Sequence, residues 1–165
     1  YNPALEAVKY LVESAEKKEI RMSMDIEKNT WVFADEQMVK SIIRNLVSNG
    51  VKFTKPGGSV DLSARDNGDS VKIIVTDTGI GISEKRLTTL FTTPGTDTSE
   101  GTAEEKGSRL GLQLIREFVE KNRGDFDVKS ELGKGSTFWF TLPKEPAPGQ
   151  KDFTPPETKE PIFRD

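Results

Sequence analysis

Val71-Lys72-Ile73-Ile74-Val75 runs through Thr76 into Asp77-Thr78-Gly79-Ile80-Gly81, and this passage from a β-branched run into a carboxylate and two glycines decides how the rest of the chain is read. The alternation of Val71, Ile73 and Val75 with polar or outward positions predicts a half-buried strand. Asp77 then ends the strand and opens a turn. Two glycines permit positive φ and let a flat ring come close to the backbone, while a carboxylate accepts from an exocyclic amine such as adenine N6. The same residues also read as an Asp-initiated turn with no ligand.

Upstream, Val60 to Arg65 forms a second alternating segment, joined to the first through Asp66-Asn67-Gly68-Asp69, and the two read as a β-hairpin. Before it, Asp35 is a suitable N-cap for a helix running to Lys52, with Met38, Ile42, Leu46 and Val39, Ile43, Val47 in adjacent rows on one face. Lys55-Pro56-Gly57-Gly58 breaks that helix. Pro3 to Lys18 shows helical spacing through Leu5, Val8, Leu11, Val12 and Ala15. Ile20, Met22, Met24 and Ile26 alternate as a strand, Lys28-Asn29 supplies a turn, and Trp31-Val32-Phe33 offers a short further strand.

Downstream, Ser83 is placed to cap a short helix reaching Phe91, and periodicity is then lost from Thr92 to Ser108. A loop of that length inside a compact domain is usually functional. Helical spacing returns through Leu110, Leu114, Ile115, Phe118 and Val119 to Lys121, with Gly124 available as a stop. Phe126 to Ser130 and Ser136 to Leu142 predict a final hairpin. Hairpins mixed with amphipathic helices predict an α/β fold, a two-layer sandwich with helices over one face of a mixed, mainly antiparallel sheet.

At 165 residues the chain is long enough for one domain with a real core, expected over 1–143, and the Pro- and charge-rich 144–165 reads as a linker or tail. With 33% hydrophobic and 31% charged residues, and no apolar run near the roughly 18 residues of a membrane span, no direct membrane contact is expected. A net charge of −3 with mixed signs provides no broad basic face, so nucleic acid is not an expected partner. Cysteine and histidine are both absent, which removes disulfides, thiolate or imidazole metal sites and His-based triads. Beginning at Tyr1 without an initiator Met or leader, the chain is expected to be a piece of a longer protein.

Further constellations flank the Asp77 turn. Asn45, Asn49 and Lys52 share one helix face, where a carboxamide oxygen suits magnesium and an ammonium suits phosphate; a solvated helix face is the other reading. Gly107-Ser108-Arg109-Leu110-Gly111-Leu112 opens a helix with Lys106 beside it, and exposed amides at a helix N-terminus with flexible glycines suit a phosphate cradle. Gly133-Lys134-Gly135-Ser136-Thr137-Phe138 reads by itself as a hairpin turn.

In this order and at these separations, Asn49, Asp77 to Gly81, Phe91, Gly107 to Leu112 and Gly133 to Phe138 resemble the N, G1, F, G2 and G3 boxes of the histidine-kinase ATP-binding domain, a member of the GHKL (Bergerat-fold) superfamily. The resemblance covers about residues 4 to 143. It implies ATP and Mg2+ as ligands, an ATP lid over Thr92 to Lys106, and these roles: Asn49 on magnesium, Asn45 supporting the metal and its water, Lys52 facing the phosphates and Phe53 beside the purine. Asp77 would read adenine N6, with Gly79, Gly81 and Ile82 around the ring, and Thr137 would share a water with Asp77. Lys106, Gly107, Ser108, Arg109, Leu110, Gly111 and Leu112 would form the phosphate-facing end of the lid. It further implies a histidine-bearing dimerisation domain in the parent chain, a downstream response regulator, and a cytoplasmic location in a parent that is free to be membrane-anchored.

Two positions depart from the pattern. Arg109 stands where the family usually has glycine, so it either obstructs the lid or reaches the γ-phosphate itself. Asn45 stands where gyrase- and chaperone-type ATPases carry a general-base Glu. An amide cannot accept a proton at neutral pH, so efficient direct hydrolysis is not expected. The acceptor histidine must lie outside a chain that has none.

Overall fold

The structure, a computed structural model, describes residues 2–90, 99–100, 106–107, 110–146 and 148. Its elements in chain order are α1 (Asn2–Val8), α2 (Leu11–Lys17), β1 (Arg21–Asp25), α3 (Glu36–Phe53), β2 (Ser59–Asn67), β3 (Ser70–Asp77), α4 (Glu84–Thr89), β4 (Ser99–Glu100), β5 (Lys106–Gly107), α5 (Leu110–Lys121), β6 (Phe126–Glu131) and β7 (Gly135–Pro143). Five strands form one sheet in the order β1-β2-β3-β7-β6, with β1 parallel to β2 and all other neighbours antiparallel. Helices lie over one face, so the expected two-layer α/β sandwich is what forms.

The long helix α3 starts where Asp35, in an extended conformation, accepts the Met38 amide at 2.8 Å. It ends at Thr54, whose backbone is extended and whose amide still bonds the Gly50 carbonyl at 3.0 Å. Val39, Ile42, Ile43, Leu46, Val47 and Val51 are buried along it against Val60, Leu62, Val71, Ile73 and Val75 of the sheet. Each such side chain contributes about 1.5–3 kcal/mol on burial, which makes this the principal contact between the layers. The Nζ of Lys18 donates to the carbonyls of Val51 and Lys52 at 3.0 and 2.7 Å, placing a cation at the negative end of α3.

The β2–β3 hairpin turns at Gly68, with φ of +79°, whose amide is bonded by the Asp66 carboxylate. Along β3 the core-facing row is Val71, Ile73, Val75 and then Asp77. The carboxylate therefore occupies the last place in a hydrophobic row. Ser136, Phe138, Phe140 and Leu142 are the matching core-facing row of β7.

Several expectations are corrected. Pro3 to Lys18 is two helices rather than one, and the buried residues are Ala4, Ala7, Val8 and Ala15, while Leu5 and Val12 are 45% and 38% exposed. Small alanines let α1 and α2 sit close on α3, which turns the larger Leu5 and Val12 outward. Trp31-Val32-Phe33 forms no strand: β7 already has β3 and β6 on its two edges, and the Phe33 amide bonds the Pro143 carbonyl beyond the end of β6. Ser83 takes the N-cap position of α4 by backbone conformation alone, without a side-chain bond. Arg123, with φ of +60°, rather than Gly124, takes the left-handed position that ends α5. Gly124 is needed for another reason, since a Cβ there would lie 1.9 Å from the Thr141 carbonyl oxygen of β7. Within the span predicted to lack periodicity, Ser99–Glu100 and Lys106–Gly107 pair antiparallel.

No helix among the described residues is long and apolar enough to cross a membrane.

Candidate functional site

Asp77 is 7% exposed, and its Oδ1 accepts the amides of Gly79 at 2.8 Å and Ser136 at 3.3 Å. Burial pushes its carboxyl above the usual range, and the two backbone donors pull in the opposite direction. A buried carboxylate with one oxygen committed to the backbone has the other, Oδ2, to offer as an acceptor.

The turn that follows is tied down residue by residue. Thr78 donates its amide to the Ser59 carbonyl and accepts the Ser59 amide on its hydroxyl, at 3.1 and 2.9 Å. Ile80 bonds the Phe53 carbonyl at 3.0 Å, and the Ile80 carbonyl accepts the Gly133 amide at 2.7 Å. Ile82 bonds the Ser130 hydroxyl at 2.8 Å. The glycines are required by space. A Cβ at Gly79 would lie 2.6 Å from the Phe53 carbonyl oxygen, and one at Gly81, where φ is +68°, would lie 2.0 Å from the Glu131 carbonyl oxygen. Gly79 thus lets the turn close tightly, with the Phe53 carbonyl and the Asp77 Oδ1 packed against its Cα.

On α3, Gly50 faces this corner: a Cβ there would approach Val60 at 3.0 Å and the Asp77 Cβ at 3.6 Å. The helix thereby comes down onto the end of β3, and Phe53 at its end is tied to the same turn through its carbonyl. Asn45 donates its Nδ2 to the Ser41 carbonyl at 2.8 Å. Its Oδ1 lies toward α5, 3.5 Å from where a Gly111 Cβ would be. The start of α5 is thus in contact with the carboxamide face of α3. Asn49 and Lys52 are half-buried, and Lys52 Nζ stands 5.8 Å from the Phe53 ring centre. Leu112 is buried beneath the first turn of α5. Lys106, Gly107 and Leu110 fall in described backbone, whereas Phe91, Ser108 and Arg109 lie outside the described residues, as does most of the expected lid.

Among the described residues, the geometry moves Thr137 elsewhere. Its hydroxyl lies 3.2 Å from that of Thr76, on the opposite face of the sheet from Asp77. Successive strand residues point to opposite faces, and Asp77 pairs with Ser136. Ser136, 7% exposed, is therefore the hydroxyl beside Asp77. The signal was present in the sequence: Phe138, Phe140 and Leu142 set the core-facing phase of β7, and Ser136 is in that phase. Ser130, bonded to Ile82, to the Gly135 carbonyl and to Ser136, carried no sequence signal at all.

Known proteins share the sequence family and the fold. A family model described as histidine kinase-, DNA gyrase B- and HSP90-like ATPase matches residues 34–146. The autoinducer 2 sensor kinase/phosphatase LuxQ of Vibrio vulnificus is 39% identical over 131 residues, covering 76% of this chain and 15% of LuxQ. This chain therefore corresponds to a small part of the curated relatives it matches. The catalytic domain of histidine kinase ThkA superposes with a TM-score of 0.73 at 25% identity, covering 87% of this chain and 91% of that domain. Full-length ShkA, solved in complex with AMPPNP, superposes with a TM-score of 0.71 at 28% identity over 86% of this chain and 29% of ShkA.

Proposed function

Since the chain belongs to the histidine kinase-, DNA gyrase B- and HSP90-like ATPase family, we propose that it is the ATP-binding catalytic domain of a two-component sensor histidine kinase, delivering the γ-phosphoryl of ATP to a histidine outside this chain. The observation that carries the reading is the buried Asp77 carboxylate, held through Oδ1 by the Gly79 and Ser136 amides, with Gly50 of α3 packed against it and Phe53 tied to the same glycine turn. Asp77 Oδ2 accepts from adenine N6. Ser136 takes the supporting hydroxyl role first assigned to Thr137. Phe53 and Ile82 flank the base.

The donor set on α3 fits a magnesium–triphosphate pair. Among the described residues no group of three or more His, Cys, Asp or Glu side chains is placed to hold a metal alone. A divalent ion at Asn49 would share its remaining positions with phosphate oxygens and water, as magnesium prefers. Magnesium, when bound, offsets the charge of the β- and γ-phosphates. Lys52 and Lys106 add positive charge, and the amides of Gly107, Leu110, Gly111 and Leu112 serve the phosphates, with Ser108 and Arg109 assigned there on sequence.

The chain then binds and orients. The incoming imidazole nitrogen attacks the γ-phosphorus in line, the bond to the β–γ bridging oxygen breaks, and ADP leaves. Asn45 is no base for water, which favours transfer to a histidine over hydrolysis. The histidine belongs to a dimerisation domain of the parent chain and the phosphoryl passes on to a response regulator. We assign residues 1–143 to the domain, 144–165 to a linker or tail, and the domain to the cytoplasm.

Arg109 favours a second reading, a pseudokinase in which nucleotide is only a conformational ligand. Phosphotransfer from labelled ATP to a histidine-bearing dimerisation domain supplied in trans tests both. Transfer by the unmodified chain supports the kinase; binding without transfer, restored by Arg109→Gly, supports the pseudokinase.

A further inference from the structure

Ser130 lies on β6, outside the residues assigned to the nucleotide, yet its hydroxyl sits at the junction of three segments that build the Asp77 corner. Its Oγ is 2.8 Å from the Gly135 carbonyl oxygen, 2.8 Å from the Ile82 amide and 2.9 Å from the Ser136 hydroxyl. A serine hydroxyl has one proton and two lone pairs. The Gly135 carbonyl can only accept, so it takes the proton. The Ile82 amide can only donate, so it takes one lone pair. The remaining lone pair faces Ser136, which must therefore donate its own proton to Ser130.

This leaves Ser136 Oγ with lone pairs alone for any other partner. Asp77, opposite Ser136 in the strand register and bonded to its amide, is likewise an acceptor when ionised. We infer that Ser130 is a positioning and specificity-determining residue: by directing the Ser136 proton away from the Asp77 corner, and by tying the end of the glycine turn to β6, it presents a nucleotide base with acceptors only. Such a corner selects a 6-amino purine, whose N6 donates, against a 6-oxo purine, whose oxygen would face two further lone pairs. The inference rests on the nucleotide reading proposed above.

The test measures the affinity of the 165-residue chain for ATP and for inosine triphosphate, which differ at the 6-position, by titration calorimetry. The unmodified chain prefers ATP. In Ser130→Ala the Ser136 proton is free to turn toward a 6-oxo group, and the ATP preference shrinks about tenfold, the size of one well-placed hydrogen bond. Ser130→Thr restores it. Should Ser130→Ala lose its fold, Ser130→Thr and Ser130→Val, equal in shape, answer the same question through the hydroxyl alone. A Ser130→Ala or Ser130→Val chain that keeps the ATP preference, even with both affinities reduced together, overturns the inference and leaves Ser130 a structural residue. An unmodified chain with no preference for ATP overturns the adenine reading itself, and the inference with it; the two failures differ in whether the unmodified chain discriminates.

Discussion

The Oδ1 of Asp77 accepts the amide of Ser136 across the β3–β7 pair, at 3.3 Å, while the Gly79 amide binds the same oxygen from within the turn. The carboxylate is thereby held in place with its acceptor role divided: Oδ1 serves the backbone, and Oδ2 is the oxygen that the proposed function gives to adenine N6. Preorganisation of this kind lowers the entropic cost of recognition.

That division predicts the outcome of Asp77→Asn. The two amides hold the asparagine oxygen in the Oδ1 position, which forces the side-chain NH2 into the place of Oδ2. A donor then meets the N6 donor of adenine. ATP affinity should fall by about 1.5–3 kcal/mol, roughly 10- to 100-fold, while the fold persists. Titration calorimetry alongside thermal melts checks this, and unchanged affinity would show that Asp77 does not read adenine.

The pH dependence follows from the raised carboxyl of Asp77, which burial keeps protonated at pH values where the unfolded chain has already ionised. In that window the folded state binds more protons than the unfolded, so this group's contribution to stability declines as pH rises through it. The deficit is absent below the usual carboxylate range and fully present above the raised folded value. Urea titrations of the unmodified chain and Asp77→Asn from about pH 3 to pH 7 should show the unmodified chain losing ground. ATP affinity runs the other way, weakening as acidification through the raised value places a proton on the carboxyl.

Gly81→Ala should be costly. It places a Cβ at a φ of +68° and 2.0 Å from the Glu131 carbonyl oxygen, so backbone must move on one side or the other. A loss above ~2 kcal/mol is expected from strain and overpacking together, read as a lower denaturation midpoint, with ATP binding weakened because the turn carries the adenine corner.

Asn122, 7% exposed at the end of α5, accepts the Asp35 amide at 2.7 Å and donates to the Phe118 carbonyl at 2.7 Å. It couples the end of α5 to the start of α3. Asn122→Ala leaves the Asp35 amide without its acceptor, while the Phe118 carbonyl keeps the backbone amide of residue 122, and should cost ~1–3 kcal/mol in urea unfolding, with the slope unchanged. Asn122→Asp keeps the acceptor for Asp35 and should cost less.

Much of the fold was legible in the sequence because it is local. The Asp35 cap, the apolar rows of α3, the Gly68 hairpin and the spacing of α5 are short-range features, and each element stands within a residue or two of its predicted span. The break between α1 and α2 and the missing strand at Trp31 to Phe33 were not legible. The first depends on how closely alanines let one helix lie on another, the second on which strand edges other segments have already taken.

For the site, the sequence by itself determined the chemistry: a carboxylate beside glycines, carboxamides and an ammonium on one helix face, a glycine-rich opening to α5, and no histidine to receive a phosphoryl group. Tertiary structure decided which side chains meet. Ser136 and not Thr137 stands beside Asp77, because cross-strand register and the two-residue period place neighbours on opposite faces. Ser130 joins them only because β6, β7 and the glycine turn converge there, and such convergence is a property of the packed sheet rather than of any short stretch of chain.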